Sequence, residues 1–232
     1  MASVLIQPPN TFEWWYIEGI FDDGSNAQFT FFTKPWMESS LPFDPYLVIT
    51  ITTPNGTTFN NVVSVSKDQF SAARGEANVT MGKNWLRGNL STYELHVESR
   101  NGYGANLIFT RAAPSTRIGE TGINYFDPFL TQKGGWFIAL PYAKVQGTLT
   151  YNGQTHQVQG NGYHDHNWGT FDYNKVLDRW YWTRAHIGNY TLDLAMRVAS
   201  SFYNYQQSPA FYLAKGKSPN RRHQTPYCAR IG

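Results

Sequence analysis

Cysteine is nearly absent from this 232-residue chain. The single Cys228 excludes an intrachain disulfide, and taken alone it points to a reducing compartment. Charge is also scarce: 15% of residues are Asp, Glu, Lys or Arg, where about a quarter is usual for a globular domain. No apolar run approaches the roughly 20 residues that span a bilayer, so no membrane span is expected. There is no P-loop and no dinucleotide fingerprint, and no cofactor is expected. Before the last 32 residues, no stretch combines helical periodicity with caps. The net charge of +3 suggests nucleic acid only until it is located. Lys215, Lys217, Arg221, Arg222 and Arg230 lie in a C-terminal segment without acids; the other basic residues number 14, against 16 acidic ones. A nucleic-acid partner is therefore not expected.

What is plentiful is aromatic. The chain is 41% hydrophobic and 16% Phe, Trp or Tyr. Alternating runs are parted by turn signals, mostly every 8–12 residues, as in an antiparallel barrel or sandwich. Residues 12–21 (FEWWYIEGIF) and Gln28–Thr33 form a hairpin across Asp22-Asp23-Gly24. Within it, Trp14 and Trp15 point to opposite faces; one plugs the base of a barrel or walls a ligand pocket. Lys34–Pro45, with three prolines and Trp36, is a loop placed to cover a pocket mouth. Further strands are expected at Tyr46–Thr52, Asn61–Ser66, Phe70–Ala72, Asn78–Met81, Asn84–Asn89, Tyr93–Ser99 and Ala105–Arg111. Ala112–Gly135 is long and irregular, a length that is usually functional when its aromatics pack. Trp136–Leu140 and Ala143–Tyr151 read as two strands parted by Pro141, and His156–Gly160 leads into the next element.

The densest chemistry lies in Gly160–Gly188 (GNGYHDHNWGTFDYNKVLDRWYWTRAHIG). As a strand, its first half puts Tyr163, Asp165 and Asn167 on one face and His164, His166 and Trp168 on the other. Its second half aligns Trp180, Trp182, Arg184 and His186. A carboxylate among aromatics is costly to bury unless it is paired or neutralised. Asp165 is thus either an acid of raised pKa or a structural carboxylate bound to Arg179 or Arg184 or capping a turn. His164 and His166 have the H-x-H spacing of metal ligands, but a third ligand at fixed spacing is missing, and no metal is expected. Asn167 offers an amide to a substrate carbonyl or satisfies backbone groups.

EWWY near the start, with GYHDHNWG before an RWYW strand, resembles the carotenoid 1,2-hydratase family of tandem lipocalin-like domains. That family is taken to include fungal kievitone hydratase and the cofactor-free fungal Diels–Alderases. The resemblance runs from Glu13 to about Met196. It implies an all-β lipocalin-like barrel or sandwich over residues 1–170. Residues 171–205 would open an incomplete second β domain, and 206–232 would form a basic irregular tail. The unpaired edges of such a unit would favour a homo-oligomer. The resemblance also implies a cavity in and between the domains for a hydrophobic small molecule. By motif position Trp15, Tyr16, Tyr163, Trp168, Trp180 and Trp182 would bind substrate, with Asp165, His164 and Asn167 as the catalytic set. Three functions compete. The first is a cofactor-free pericyclase acting on a polyene or terpenoid of secondary metabolism. The second is a hydratase with Asp165 as general acid, and the third is a non-catalytic carrier. Sequons at Asn55, Asn78, Asn89 and Asn189 lean towards a secretory location, although Met1–Ile6 does not read as a signal peptide.

Overall fold

Alternation of apolar and polar side chains dictates nearly every element. The computed structural model describes residues 10–118, 122–127 and 129–219. Its strands are β1 (Phe12–Phe21), β2 (Asn26–Phe32), β3 (Tyr46–Thr52), β4 (Thr58–Ser64), β5 (Phe70–Ala72), β6 (Ala77–Met81) and β7 (Asn84–Gly88). They continue with β8 (Thr92–Arg100), β9 (Tyr103–Arg111), β10 (Thr116–Arg117), β11 (Ile123–Tyr125), β12 (Lys133–Tyr151) and β13 (Gln154–Gly169). After one helical turn, α1 (Tyr173–Val176), come β14 (Leu177–Ile187), β15 (Tyr190–Ala199), β16 (Gln207–Lys215) and β17 (Ser218–Pro219).

The first thirteen strands form one sheet in the order β4-β3-β2-β1-β13-β12-β9-β8-β7-β6-β5, with β10 and β11 paired to β12. All its pairings are antiparallel. The sheet curls into a half-barrel around a core that includes Ile17, Phe29, Leu47, Ile51, Leu86, Leu95 and Phe109. The expected lipocalin-like β architecture is present. β14 to β17 form a second sheet in sequence order.

Three details differ from the sequence reading. Pro141 does not end a strand: β12 continues through it, with register shifts on β13 between Ile138 and Leu140 and between Leu140 and Ala143. Bulges of this kind absorb a proline that a regular ladder would exclude. The segment 112–135 is not wholly irregular, because β10 and β11 lie against β12. The irregular tail expected from residue 206 contains a full strand, β16, whose Ala210, Tyr212 and Ala214 are buried. Cys228, Arg221, Arg222, Arg230 and the opening Met1–Ile6 lie outside the described residues.

β1 is central because β13 and β2 pair with its two edges over nearly its whole length. That close approach requires glycine at one point. A Cβ on Gly160 would sit 2.1 Å from the Ile20 carbonyl oxygen and 2.8 Å from the Phe21 Cα. Gly160→Ala should therefore cost roughly 1–3 kcal/mol, and thermal melting should fall by several degrees. Gly75→Ala is the control, since nothing lies within 4 Å of its added methyl; a melting temperature unchanged by both substitutions would contradict this packing.

Candidate active site

The half-barrel has two faces, and alternation divides the aromatic strand β1 between them. Trp15 and Ile17 turn into the barrel core. Trp14 and Tyr16 turn outward and line a cavity of about 270 Å³ where the second sheet covers β1, β12 and β13. Opposite β1 in register are Asn167 and Asp165, and β12 adds Trp136 beside Asn167. From the second sheet come Trp180 and Trp182 on β14 and Ala195 and Arg197 on β15. Phe12, Trp36, Phe126, Trp168, Phe171 and Tyr173 complete much of the wall. The volume lies near the lower end of small-molecule sites, and the lining is predominantly aromatic.

The loop over the mouth is tied down. Trp36 packs 5.8 Å from Trp14 and 5.4 Å from Trp180, ring centre to ring centre. Lys34 is buried and donates to the Ser39 and Leu41 carbonyls, while Ser39 Oγ donates to the Phe171 carbonyl. One glycine shapes the wall. A Cβ on Gly135 would meet the Trp168 indole at 2.4 Å, so only glycine lets that ring lie across β12.

Asp165 is the polar centre. Its Oδ2 accepts from Trp136 Nε1 at 2.7 Å and from the Tyr163 hydroxyl at 2.8 Å, and its Oδ1 accepts from Asn167 Nδ2 at 2.8 Å. Burial pushes its pKa up to about 6 despite those three donors, which favour the ionised form. Among the described residues no arginine touches it. The expected pairing with Arg179 or Arg184 is replaced by this neutral cage. Arg184 instead pairs with Glu18 on β1 and lies over the Tyr163 ring, 4.8 Å from its centre. The Tyr16 hydroxyl also donates to Glu18.

A second acid, Asp193 on β15, was not singled out in the sequence. It is 1% exposed, accepts from Trp182 Nε1 at 2.8 Å, and is raised to about 7 by burial and by the negative charge of Asp165. The alternation of β15 pointed to the opposite face. Apolar Leu192, Leu194 and Met196 suggest the inward face, yet Leu194 is exposed and Thr191, Asp193 and Ala195 are buried.

The remaining expected residues divide. Tyr16, Asn167, Trp168, Trp180 and Trp182 line the cavity. Trp15 does not; its ring stacks on His166 at 4.9 Å on the core side. Tyr163 is fully buried behind Asp165 rather than in the wall. His164 is also removed from the cavity. Its Nδ1 donates to the Tyr16 carbonyl at 2.7 Å, its ring meets Tyr93, and burial lowers its pKa to about 3, so it is a neutral structural imidazole. His166 Nε2 bonds Glu13 Oε1 at 2.8 Å. Among the described residues no three His, Cys, Asp or Glu side chains gather as metal ligands.

A model of the AttH-like family matches residues 5–217. The chain belongs to the AttH-like family. The structure of CghA with Sch210972 aligns with a TM-score of 0.66 at 18% identity, covering 94% of this chain and 63% of that one. Kievitone hydratase from Nectria haematococca aligns at 0.62 with 15% identity, covering 91% and 66%. Among curated sequences, the quinolone epoxide rearrangement protein penF of Penicillium thymicola is 37% identical over 54 residues, 23% of this chain and 15% of penF. The AttH-like chain thus spans less than two thirds of these structures' lengths. The likeness at these identities establishes the lipocalin-like fold.

The buried acids set a pH dependence. Both carboxyls bind protons more tightly in the native state than unfolded, so their contribution to stability is largest in acid and falls as pH rises to about 7. Asp193→Asn removes one of them. Relative to wild type, the variant should gain on the order of 2 kcal/mol between about pH 5 and pH 8 in urea denaturation; a difference constant with pH would contradict the raised pKa.

Proposed function

We propose that this AttH-like protein is a cofactor-free pericyclase that folds a hydrophobic polyene or terpenoid intermediate for a [4+2] or hetero-[4+2] cycloaddition. The supporting observation is a cavity walled by aromatic rings whose carboxylate, Asp165, is already occupied as an acceptor by three protein donors. A cycloaddition consumes and releases no proton and no water. It needs the diene and dienophile held face to face, which effective-molarity arguments rate as a large part of such a barrier. Rigid indole and phenol faces supply that constraint. The Asp165 cage fixes Trp136 and Asn167 in the wall, which makes Asp165 a positioning residue in this reading.

The hydratase reading has one observation in its favour. Asp165 and Asp193 both sit above the ordinary carboxyl range, as a general acid must. At neutral pH, however, a group at about 6 is mostly ionised, and its cage stabilises that form. A carrier would need only the cavity.

Turnover in isotope-labelled water separates these functions. With a conjugated polyene bearing an activated alkene, the pericyclase forms a ring isomer of unchanged mass that contains no label. A hydratase gives a product heavier by one labelled water, and a carrier gives none. Asp165→Asn is the companion test. It places an amide NH2 against donors, so stability should fall by roughly 1–3 kcal/mol. Cyclisation should fall by less than about tenfold, whereas loss of a general acid would remove about 10²–10⁴-fold.

A further inference from the structure

Among the described residues, Arg197 is the cation that lines the cavity, and none of them supplies it with an anion. Arg197 projects from β15 into the space between the sheets and lines the cavity beside Trp180 and Tyr173. Its Nη2 donates to Asn124 Oδ1 at 3.1 Å on β11 and to Ser208 Oγ at 3.4 Å on β16, both neutral acceptors. Nε is buried with no acceptor, and so is Nδ2 of the same Asn124. The amide orientation is settled by chemistry: a guanidinium has no lone pair, so the Asn124 oxygen must face it. Two adjacent buried donors therefore lack acceptors, and among the described residues no carboxylate pairs with Arg197. Burial lowers its pKa, and the ionisable group that most opposes this is the phenol of Tyr173.

Such an arrangement is costly. A buried cation normally has an ion partner, and a buried donor normally has an acceptor. Two other cations show the usual outcome: Arg184 pairs with Glu18, and the buried Lys34 ammonium donates to two carbonyls. Asp165 and Asp193 do not neutralise Arg197. Asp165 is held by its cage, and the positive charge that acts on Asp193 is that of Arg184.

We propose that Arg197 is the subsite for a planar oxyanion on the ligand, so that the protein's substrate is a hydrophobic polyene ending in a carboxylate-type group. This rests on reading the cavity as the ligand site, as above, and adds the polarity of the ligand. The guanidinium fixes the charged head, and the chain runs along Trp180, Trp182 and Trp14 towards Asp165. Specificity follows from the same asymmetry. A neutral ligand leaves the cation unpaired, and an ammonium ligand is repelled by it.

The test compares all-trans decatetraenoic acid with its methyl ester, two probes with the same polyene that differ in the charge of the head and by one methyl group. Binding is followed by quenching of tryptophan emission at about neutral pH. Wild type should bind the acid about 10–100-fold more tightly than the ester, the range set by a charge-assisted hydrogen bond to a buried partner. Arg197→Gln should erase that preference by weakening the acid while leaving the ester unchanged. Arg197→Lys, which keeps the charge and loses the planar fork, should fall between them. If Arg197→Gln does not fold, the wild-type preference and Arg197→Lys still decide. Equal binding of acid and ester, binding of neither, or an acid preference that survives in Arg197→Gln overturns the proposal. Because the readout is binding, its failure is distinguishable from that of the pericyclase reading. Acid preference without cyclisation overturns only the cycloaddition, and cyclisation without acid preference overturns only the Arg197 subsite.

Discussion

The ion pair between Glu18 and Arg184 joins the two sheets, and the cavity depends on that junction. Glu18 lies on β1, the strand that the half-barrel is built around, and Arg184 lies on the second sheet. Around the pair, Trp182 packs against Tyr163 at 5.3 Å and Tyr16 at 6.1 Å, and His186 stacks on Tyr142 at 3.6 Å. Tyr212 adds a hydrogen bond across to the Pro114 carbonyl at 2.7 Å. A charge pair buried this far is weak evidence of net stability, yet losing one partner typically costs about 3–5 kcal/mol. The second sheet is small and has few alternatives for its inner face. Its position, and with it the shape of the aromatic chamber, is set by satisfying that charge.

The chemistry is distributed along the same interface. One end has acceptors: Asp165 inside its cage of indole, phenol and amide, with Asp193 behind Trp182. The other end has donors without acceptors at Arg197 and Asn124. Between them lie aromatic faces that neither donate protons nor hydrate. In the proposed reading, that polarity holds a long conjugated molecule by its faces and one end.

Much of this was legible in the sequence, for identifiable reasons. Strand period and turn residues located β3 and most of β8 and β9 within a residue or two, because their burial alternates. Asp165 stood out since a carboxylate in GYHDHNWG must be satisfied by something. The face assignment of Tyr163, Asp165 and Asn167 against His164 and His166 followed from a period of two, but Trp168, grouped with the histidines by the same parity, lines the cavity with Asp165 and Asn167. What was hidden depended on the second sheet. With Trp14 and Trp15 adjacent, parity alone does not say which faces the cavity; the second sheet covers the outer face and so selects Trp14. Asp193 and Arg197 look like the solvent face of an amphipathic strand until the opposing sheet covers them, burying Asp193 fully and Arg197 in part. Phe126 comes from a segment whose path no periodicity records, whereas the loop carrying Trp36 was legible as a cover for the pocket mouth. Pro141 misled because a bulge tolerates what a regular ladder does not.

Hydrogen exchange on Glu18→Gln tests most directly whether the inter-sheet charge pair holds the chamber together. The account predicts that amides of β14, β15 and β16 exchange at least about tenfold faster in the variant, while those of β2, β3, β8 and β9 keep their protection, because the second sheet loosens on an intact half-barrel. Unchanged protection throughout the second sheet, or an equal loss in both sheets, would contradict it.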